Sequence, residues 1–319
     1  MLPFFTILHP LVDACSVTVL VFGGMSWQRV LAYNALAFAL QFPLGVALDA
    51  RPQFVKGAFV ASLVLTLAGV GLCACGCVGD GAAGVRALPL GSAALVLACV
   101  GNALFHLSAG KTVLDAYEGK GGPIGLFIST GALGLFAGMK LAGGYGLWCC
   151  LGFGAALAAM GAVAIWLWFE RAEAFPSHNY LSSLSSLVSL PHLSFGLILV
   201  ALFALVAWRS WAGLLAGGMT NAAGLGFALA GAAVTWAGKA AGGCLGDRFG
   251  RWVVTAISVV GSLSLCFLCR PEHAALWLAL LFVAQLATGP VLSLMYDKSG
   301  RASGTAFGLN CLALFTGSL

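Results

Sequence analysis

Charge is scarce in this chain. Its 319 residues include 15 Lys and Arg and 10 Asp and Glu, 8% of the total, where a soluble domain carries roughly a quarter. So few ions cannot solvate a fold of this length, which excludes a soluble globular protein and leaves lipid or other buried helices as the surroundings. Clusters of basic residues are missing as well. Lys and Arg stand singly between apolar stretches, so the net charge of +5 is not a nucleic-acid footprint. There is no nucleophile–histidine–acid set at usable spacing and no H-E-x-x-H, so no catalytic residue, enzyme activity or cofactor is expected. No cleavable signal peptide is expected either, because the first apolar segment starts almost at Met1, lacks a basic leader and runs into Asp13.

Apolar length is abundant. The chain is 61% hydrophobic with a mean hydropathy of +1.02. Stretches long enough to cross about 30 Å of hydrocarbon are predicted near 4–24, 29–48, 55–78, 87–109, 123–145 and 147–169, and again near 193–216, 221–244, 252–269, 274–296 and 303–319. The fold class is therefore an all-helical polytopic membrane protein of about 11 transmembrane helices. Residues 1–169 are expected to form one six-helix bundle, 170–192 a linker, and 193–319 a second bundle of five helices. The linker reading rests on Pro176, Pro191 and the Ser-rich run from Ser182 to Ser189.

Lys and Arg placement sets the expected orientation. With the N-terminus in the cytoplasm, the inner connections hold Arg51, Lys56, Lys111, Lys120, Arg171, Arg248, Arg251, Lys298 and Arg301, against Arg29, Arg86 and Arg270 outside. The expected location is the plasma (inner) membrane of a cell, as a monomer in the lipid bilayer.

Two metal or phosphate patterns carry little. Cys73, Cys75 and Cys77 form a C-x-C-x-C run, but alternate helical residues do not share a face and no histidine lies nearby, so no metal is expected. Adjacent Cys149 and Cys150 read as lipid-facing or packing residues. Ala109-Gly110-Lys111-Thr112 resembles the end of a phosphate loop, but Phe105 stands where its first glycine belongs and the segment before it is a membrane helix. The 44 glycines, some in small-x-x-x-small spacing such as Gly134 and Gly138, allow helices to pack closely and slide.

Ionisable residues within apolar spans raise functional questions because their burial is costly. His9 and Asp13 lie one turn apart on one face of the first helix. Asp13 reads either as a proton-binding carboxylate or as a static hydrogen-bonded pair with His9. His106 ends the fourth helix near the same half. Arg209 lies inside the seventh helix and, unable to release its proton, needs a partner, a polar gap or an anionic solute. Lys140 is expected to snorkel outward, and Lys239 to support the cytoplasmic gate.

The residues Gly242-Gly243-Cys244-Leu245-Gly246-Asp247-Arg248-Phe249-Gly250-Arg251 read as a tight polar turn between two apolar segments. They resemble the signature of the major facilitator superfamily of transporters (G-x-L-x-D-R-x-G-R), with Gly243, Leu245, Asp247, Arg248, Gly250 and Arg251 in register. A degraded copy, Gly45, Asp49 and Arg51, follows the second helix, with Pro52-Gln53 in place of Gly-Arg. Such an echo is what duplicated transporter halves show. His9-Pro10-Leu11-Val12-Asp13, Ala103-Leu104-Phe105-His106, Ser129 through Gly138, Arg209-Ser210 and Gly300 through Gly304 are similar to segments of its fosmidomycin-resistance, drug-efflux branch. Met139 and Leu107 stand where that branch often has proline.

The resemblance implies two six-helix bundles, so the chain is expected to lack the last helix. It implies secondary transport of a small solute by alternating access, with proton-coupled export of a drug or metabolite. In that reading Asp13, His9 and His106 handle the proton. Arg209, Asn34, Gln41 and Asn102 contact the substrate, and the Asp49 and Asp247 turns gate the cytoplasmic side. The alternative is a non-transporting binding or regulatory membrane protein of the same fold.

Overall fold

The computed structural model describes residues 1–80, 90–170 and 193–319. The linker expected over 170–192, with Arg171 and its Ser-rich run, lies outside these residues except for Glu170, and so does Arg86. Among the described residues there is no strand, and eight helical segments are long and apolar enough to cross a membrane.

Helix α1 spans Leu2–Phe22, followed by α2, Trp27–Asn34, a π-helical turn over Ala35–Ala39, and α3, Gln41–Ala50. Then come α4, Val55–Asp80, and α5, Leu90–Ala116. The predicted end near 109 falls short because Lys111 and Asp115, one turn apart, pair at 3.2 Å. Partnered charges let the helix continue two turns further.

Helices α6, Gly121–Ser129, and α7, Gly131–Glu170, cover the segments predicted over 123–145 and 147–169. A straight helix as long as α7, at about 1.5 Å per residue, would be roughly twice the hydrocarbon thickness. It does not run straight, because Tyr145 has non-helical angles (φ −131°, ψ 31°). Gly146 abuts Phe22 at one end of α1, while Trp168 stacks edge-on against Phe5 at the other, 5.3 Å between ring centres. The chain therefore reverses near Tyr145. Before it, Gly134 and Gly138 press on Pro10 and Ala14, and after it Gly154 and Gly161 press on Val70 and Leu63 of α4.

The remaining helices are α8, Leu193–Ala222; α9, Leu225–Phe249; α10, Arg251–Leu268; α11, Ala274–Gln285; α12, Thr288–Lys298; and α13, Ser303–Thr316. The single segment predicted over 274–296 is broken between α11 and α12. Pro290 has no N–H for the Leu286 carbonyl, so the ladder fails there. The polar turn predicted over 242–251 is also revised. Gly242 through Phe249 are helical, and Gly250 alone breaks the chain, with φ 101°, a value that favours glycine.

Small residues let the helices touch backbone to backbone. Gly69 faces Ala94 and Ala98, and Gly101 faces Ser62 and Thr66, joining α4 to α5. Phe5, Phe59, Phe105, Phe127 and Trp168 form the aromatic centre of the core. Large apolar side chains such as Trp148, Val200 and Phe267 are exposed, as a lipid-facing surface requires.

Candidate functional site

Two helices each contribute a pair of polar residues spaced one turn apart, and the pairs face each other. On α1 these are His9 and Asp13, and on α5 Asn102 and His106. His9 Nε2 lies 2.6 Å from His106 Nε2. Asp13 Oδ2 is 3.2 Å from His9 Nε2, and Asp13 Oδ1 is 3.5 Å from His106 Nε2. The Asn102 amide donates to Asp13 Oδ1 at 2.8 Å. All four residues are buried.

The backbone around this cluster is specialised. Pro10 cannot donate to the Thr6 carbonyl, and the Thr130 hydroxyl donates to that carbonyl instead, at 2.9 Å. This bond ties the start of α7 to α1 beside His9. The His9 ring stacks on Phe127, with 4.9 Å between ring centres. His9 Nδ1 donates to the Phe127 carbonyl (2.7 Å) and His106 Nδ1 to the Asn102 carbonyl (2.9 Å). A carbonyl only accepts, so each Nδ1 carries the hydrogen.

The signature glycines and acids form a second constellation at one end of the molecule. Asp49, on α3, accepts from the backbone N–H groups of Gly304 (2.9 Å) and Thr305 (2.6 Å) at the start of α13, and from the Thr305 hydroxyl (2.8 Å). Lys111 donates to Asp49 (2.7 Å) and to Ser303 (2.8 Å). Asp247, on α9, accepts from the N–H groups of Gly121 (2.8 Å) and Gly122 (2.7 Å) at the start of α6. Helix starts carry unpaired N–H groups and partial positive charge, so each carboxylate caps a helix. The glycines make this reach possible. Gly45 lies against the Gly304 carbonyl, and Gly243 against that of Gly121, where a side chain would collide. Arg251 pairs with Asp297 at 2.5 Å, Arg248 lies over its neighbour Phe249, and Arg51 is exposed.

The four residues expected to touch substrate are dispersed. Asn102 belongs to the His9–Asp13–His106 cluster. Gln41 donates to the Ala37 carbonyl in the preceding π-helical turn (2.6 Å), and Asn34 is half-buried at the start of that turn. Arg209 is buried and donates through Nη1 to Gln285 Oε1 (2.8 Å) and Thr288 Oγ1 (2.9 Å). Its Nη2 is buried without a partner, and among the described residues no carboxylate pairs with it. Lys239 reaches toward the Ile128 carbonyl at 3.5 Å, nearer the histidine cluster than anticipated for a gate residue. Lys140 is exposed. Cys73 is buried and Cys75 exposed, while the side chain of Cys77 lies outside the described residues; Cys149 and Cys150 are buried packing residues.

No known protein family and no curated protein matches the sequence. Among solved structures, the chain is similar to a variant of the fucose:proton symporter of E. coli. The TM-score is 0.69 at 16% identity, covering 100% of this chain and 90% of that one. The chain shares the fold of that symporter. With its apolar spans, the chain is an integral membrane protein.

Several residues were assigned no role in the site from sequence. Lys111 reads in sequence as an inner positive charge and as part of a dismissed phosphate-loop pattern, yet it is buried between Asp49 and Asp115. Its one-turn spacing from Asp115 was the available signal. Gly121, Gly122, Gly304 and Thr305 act through backbone N–H groups, and a one-dimensional pattern does not show which helix start meets which carboxylate. No metal ligands were expected, but His9, Asp13 and His106 place one ligand atom each within 4.8 Å of one another.

Proposed function

We propose that this chain is a secondary active transporter that moves a small solute across the membrane by alternating access, coupled to protons. The observation that carries the reading is the buried Asp13–His9–His106 cluster inside membrane-spanning helices. Ionisable groups are expensive there and recur where protons are relayed.

The capped helix ends supply a gate. Asp49 and Asp247 latch α13 and α6 through backbone N–H groups, contacts that a rocking motion breaks and remakes without new side-chain packing. Arg209, with one face of its guanidinium unpartnered, is the proposed contact for an anionic group on the solute. In this reading residues 1–169 and 193–319 are the two moving bundles and 170–192 the linker. Substrate binds near the midplane between them, and the latched end faces the cytoplasm. The resemblance to the drug-efflux branch favours export. The similarity to a proton symporter supports proton coupling but not direction.

The test is solute flux in proteoliposomes under an imposed pH gradient, with this chain and an Asp13→Asn variant. Gradient-driven flux that disappears in the variant supports the reading. Equal flux in both removes Asp13 from coupling, and flux that ignores the gradient removes protons altogether.

A further inference from the structure

The atoms that face one another in the histidine cluster are all acceptors. With each Nδ1 hydrogen committed to a carbonyl, neutral His9 and His106 present bare Nε2 lone pairs across 2.6 Å. The Asp13 carboxylate closes the third side at 3.2 and 3.5 Å. Converging lone pairs and a carboxylate in a low-dielectric interior repel unless a cation lies among them. A proton shared by the two imidazoles bonds only the nitrogen pair and meets Asp13 through charge alone. A metal ion satisfies all three groups at once.

We infer that His9, His106 and Asp13 form a binding site for a divalent transition-metal ion of the zinc, cobalt and nickel class. The site uses the same residues as the proposed proton relay, but the inference rests on their donor geometry. Two imidazoles and a carboxylate suit these ions, whereas magnesium and calcium select oxygen ligands.

A tetrahedral ion with bonds of about 2.0–2.1 Å sets its ligands roughly 3.3–3.4 Å apart. The Asp13–histidine separations, 3.2 Å from Oδ2 to His9 and 3.5 Å from Oδ1 to His106, lie close to that spacing. Each runs through a different oxygen, so the carboxylate must turn to offer one oxygen to the ion or hold it with both. The nitrogen pair at 2.6 Å must open by about 0.7 Å to reach it. Outer groups are in place as well. Metal-bound histidines characteristically donate their other N–H to a carbonyl, and ligating carboxylates are themselves hydrogen-bonded. Phe127, the Asn102 carbonyl and the Asn102 amide supply these three contacts. Gly131 lies where a side chain would press on Asp13 Oδ2 and His9 Nε2, so its glycine leaves the centre open. Ion and proton need the same lone pairs and exclude each other.

The experiment is titration of the full chain, purified in detergent and stripped with a chelator, with cobalt(II). The expected result is a visible ligand-field band saturating at one ion per chain and displaced by zinc, without the intense sulfur charge-transfer band that cysteine ligation produces. His106→Gln should abolish the band, and Asn102→Ala, which removes an outer contact, should weaken binding roughly 10- to 100-fold. Zinc should also raise the Tm of the parent chain and leave that of His106→Gln unmoved.

A monodisperse parent chain with no saturable band overturns the inference, as does a band unchanged by His106→Gln. If that variant does not fold, the parent spectrum still decides, because a sulfur charge-transfer band places the ion on cysteines. Binding is read without a gradient. Metal binding without proton-driven flux would therefore sink only the transport reading, and flux without metal binding only this one.

Discussion

Asp49 and Asp247 cap helices from opposite halves of the sequence in the same way. Each carboxylate receives two consecutive backbone N–H groups, Asp49 from Gly304 and Thr305 and Asp247 from Gly121 and Gly122. Each also lies one turn beyond a glycine, Gly45 or Gly243, that touches the backbone of the helix being capped. The two latches differ in that, among the described residues, Asp49 alone also accepts from a hydroxyl, that of Thr305. Asp49 also holds the buried ammonium of Lys111.

Replacing Asp247 by Asn keeps the shape but removes the charge and one acceptor oxygen. Losing a cap costs about 0.5–2 kcal/mol, which shifts an open–closed equilibrium by roughly 2- to 30-fold. The variant is expected to slow turnover while leaving solute affinity nearly unchanged. Flux rates and equilibrium binding measured side by side check this, and a normal rate would rule out the latch.

Lys111 lies between two buried carboxylates. Substituting Met strands Asp49 and Asp115, and breaking a buried ion pair costs about 3–5 kcal/mol. The Tm of Lys111→Met in detergent should fall well below that of the parent chain. Adding Asp115→Asn should recover part of the loss, because one stranded charge is then gone.

Gly243→Ala places a methyl group against the Gly121 carbonyl. Overpacking of this kind costs roughly 1–3 kcal/mol, and it falls on the closed arrangement of α9 against α6. Cys244, exposed beside this contact, should react faster with a maleimide in the variant. Site-resolved mass spectrometry separates it from Cys75, and an unchanged Cys244 rate would argue against a gate there.

Arg209→Met should weaken binding of an anionic solute by about tenfold or more, the scale of a lost charge-assisted hydrogen bond at about 1.5–3 kcal/mol. Arg209→Lys should not restore it, because an ammonium cannot hold Gln285, Thr288 and a solute in one plane. Calorimetric titration with candidate solutes distinguishes these outcomes. Equal affinity in all three proteins would exclude Arg209 from the solute site.

Much of the fold was legible because hydrophobic length and scarce charge leave few alternatives. The Asp13–His9 pair was visible as a one-turn spacing on α1. His106 was placed near it by counting helices. What misled was the local reading of glycine. Over 242–251 it suggested a turn, whereas most of those glycines serve a helix that needs a bare face. Near Lys111 the charge suggested a helix end, but a buried partner carried α5 onward.

The sequence by itself determined the membrane as solvent and the ionisable residues that must be accommodated within apolar helices, since these depend on composition and on spacing along a single helix. Only the tertiary structure decided that Asn102 joins Asp13. It also decided that Lys111 rather than Arg51 attends Asp49, and that two histidines 97 residues apart meet through like nitrogens. Those outcomes depend on which helix faces which and at what height, and on backbone N–H and C=O groups that every residue carries and no sequence pattern distinguishes.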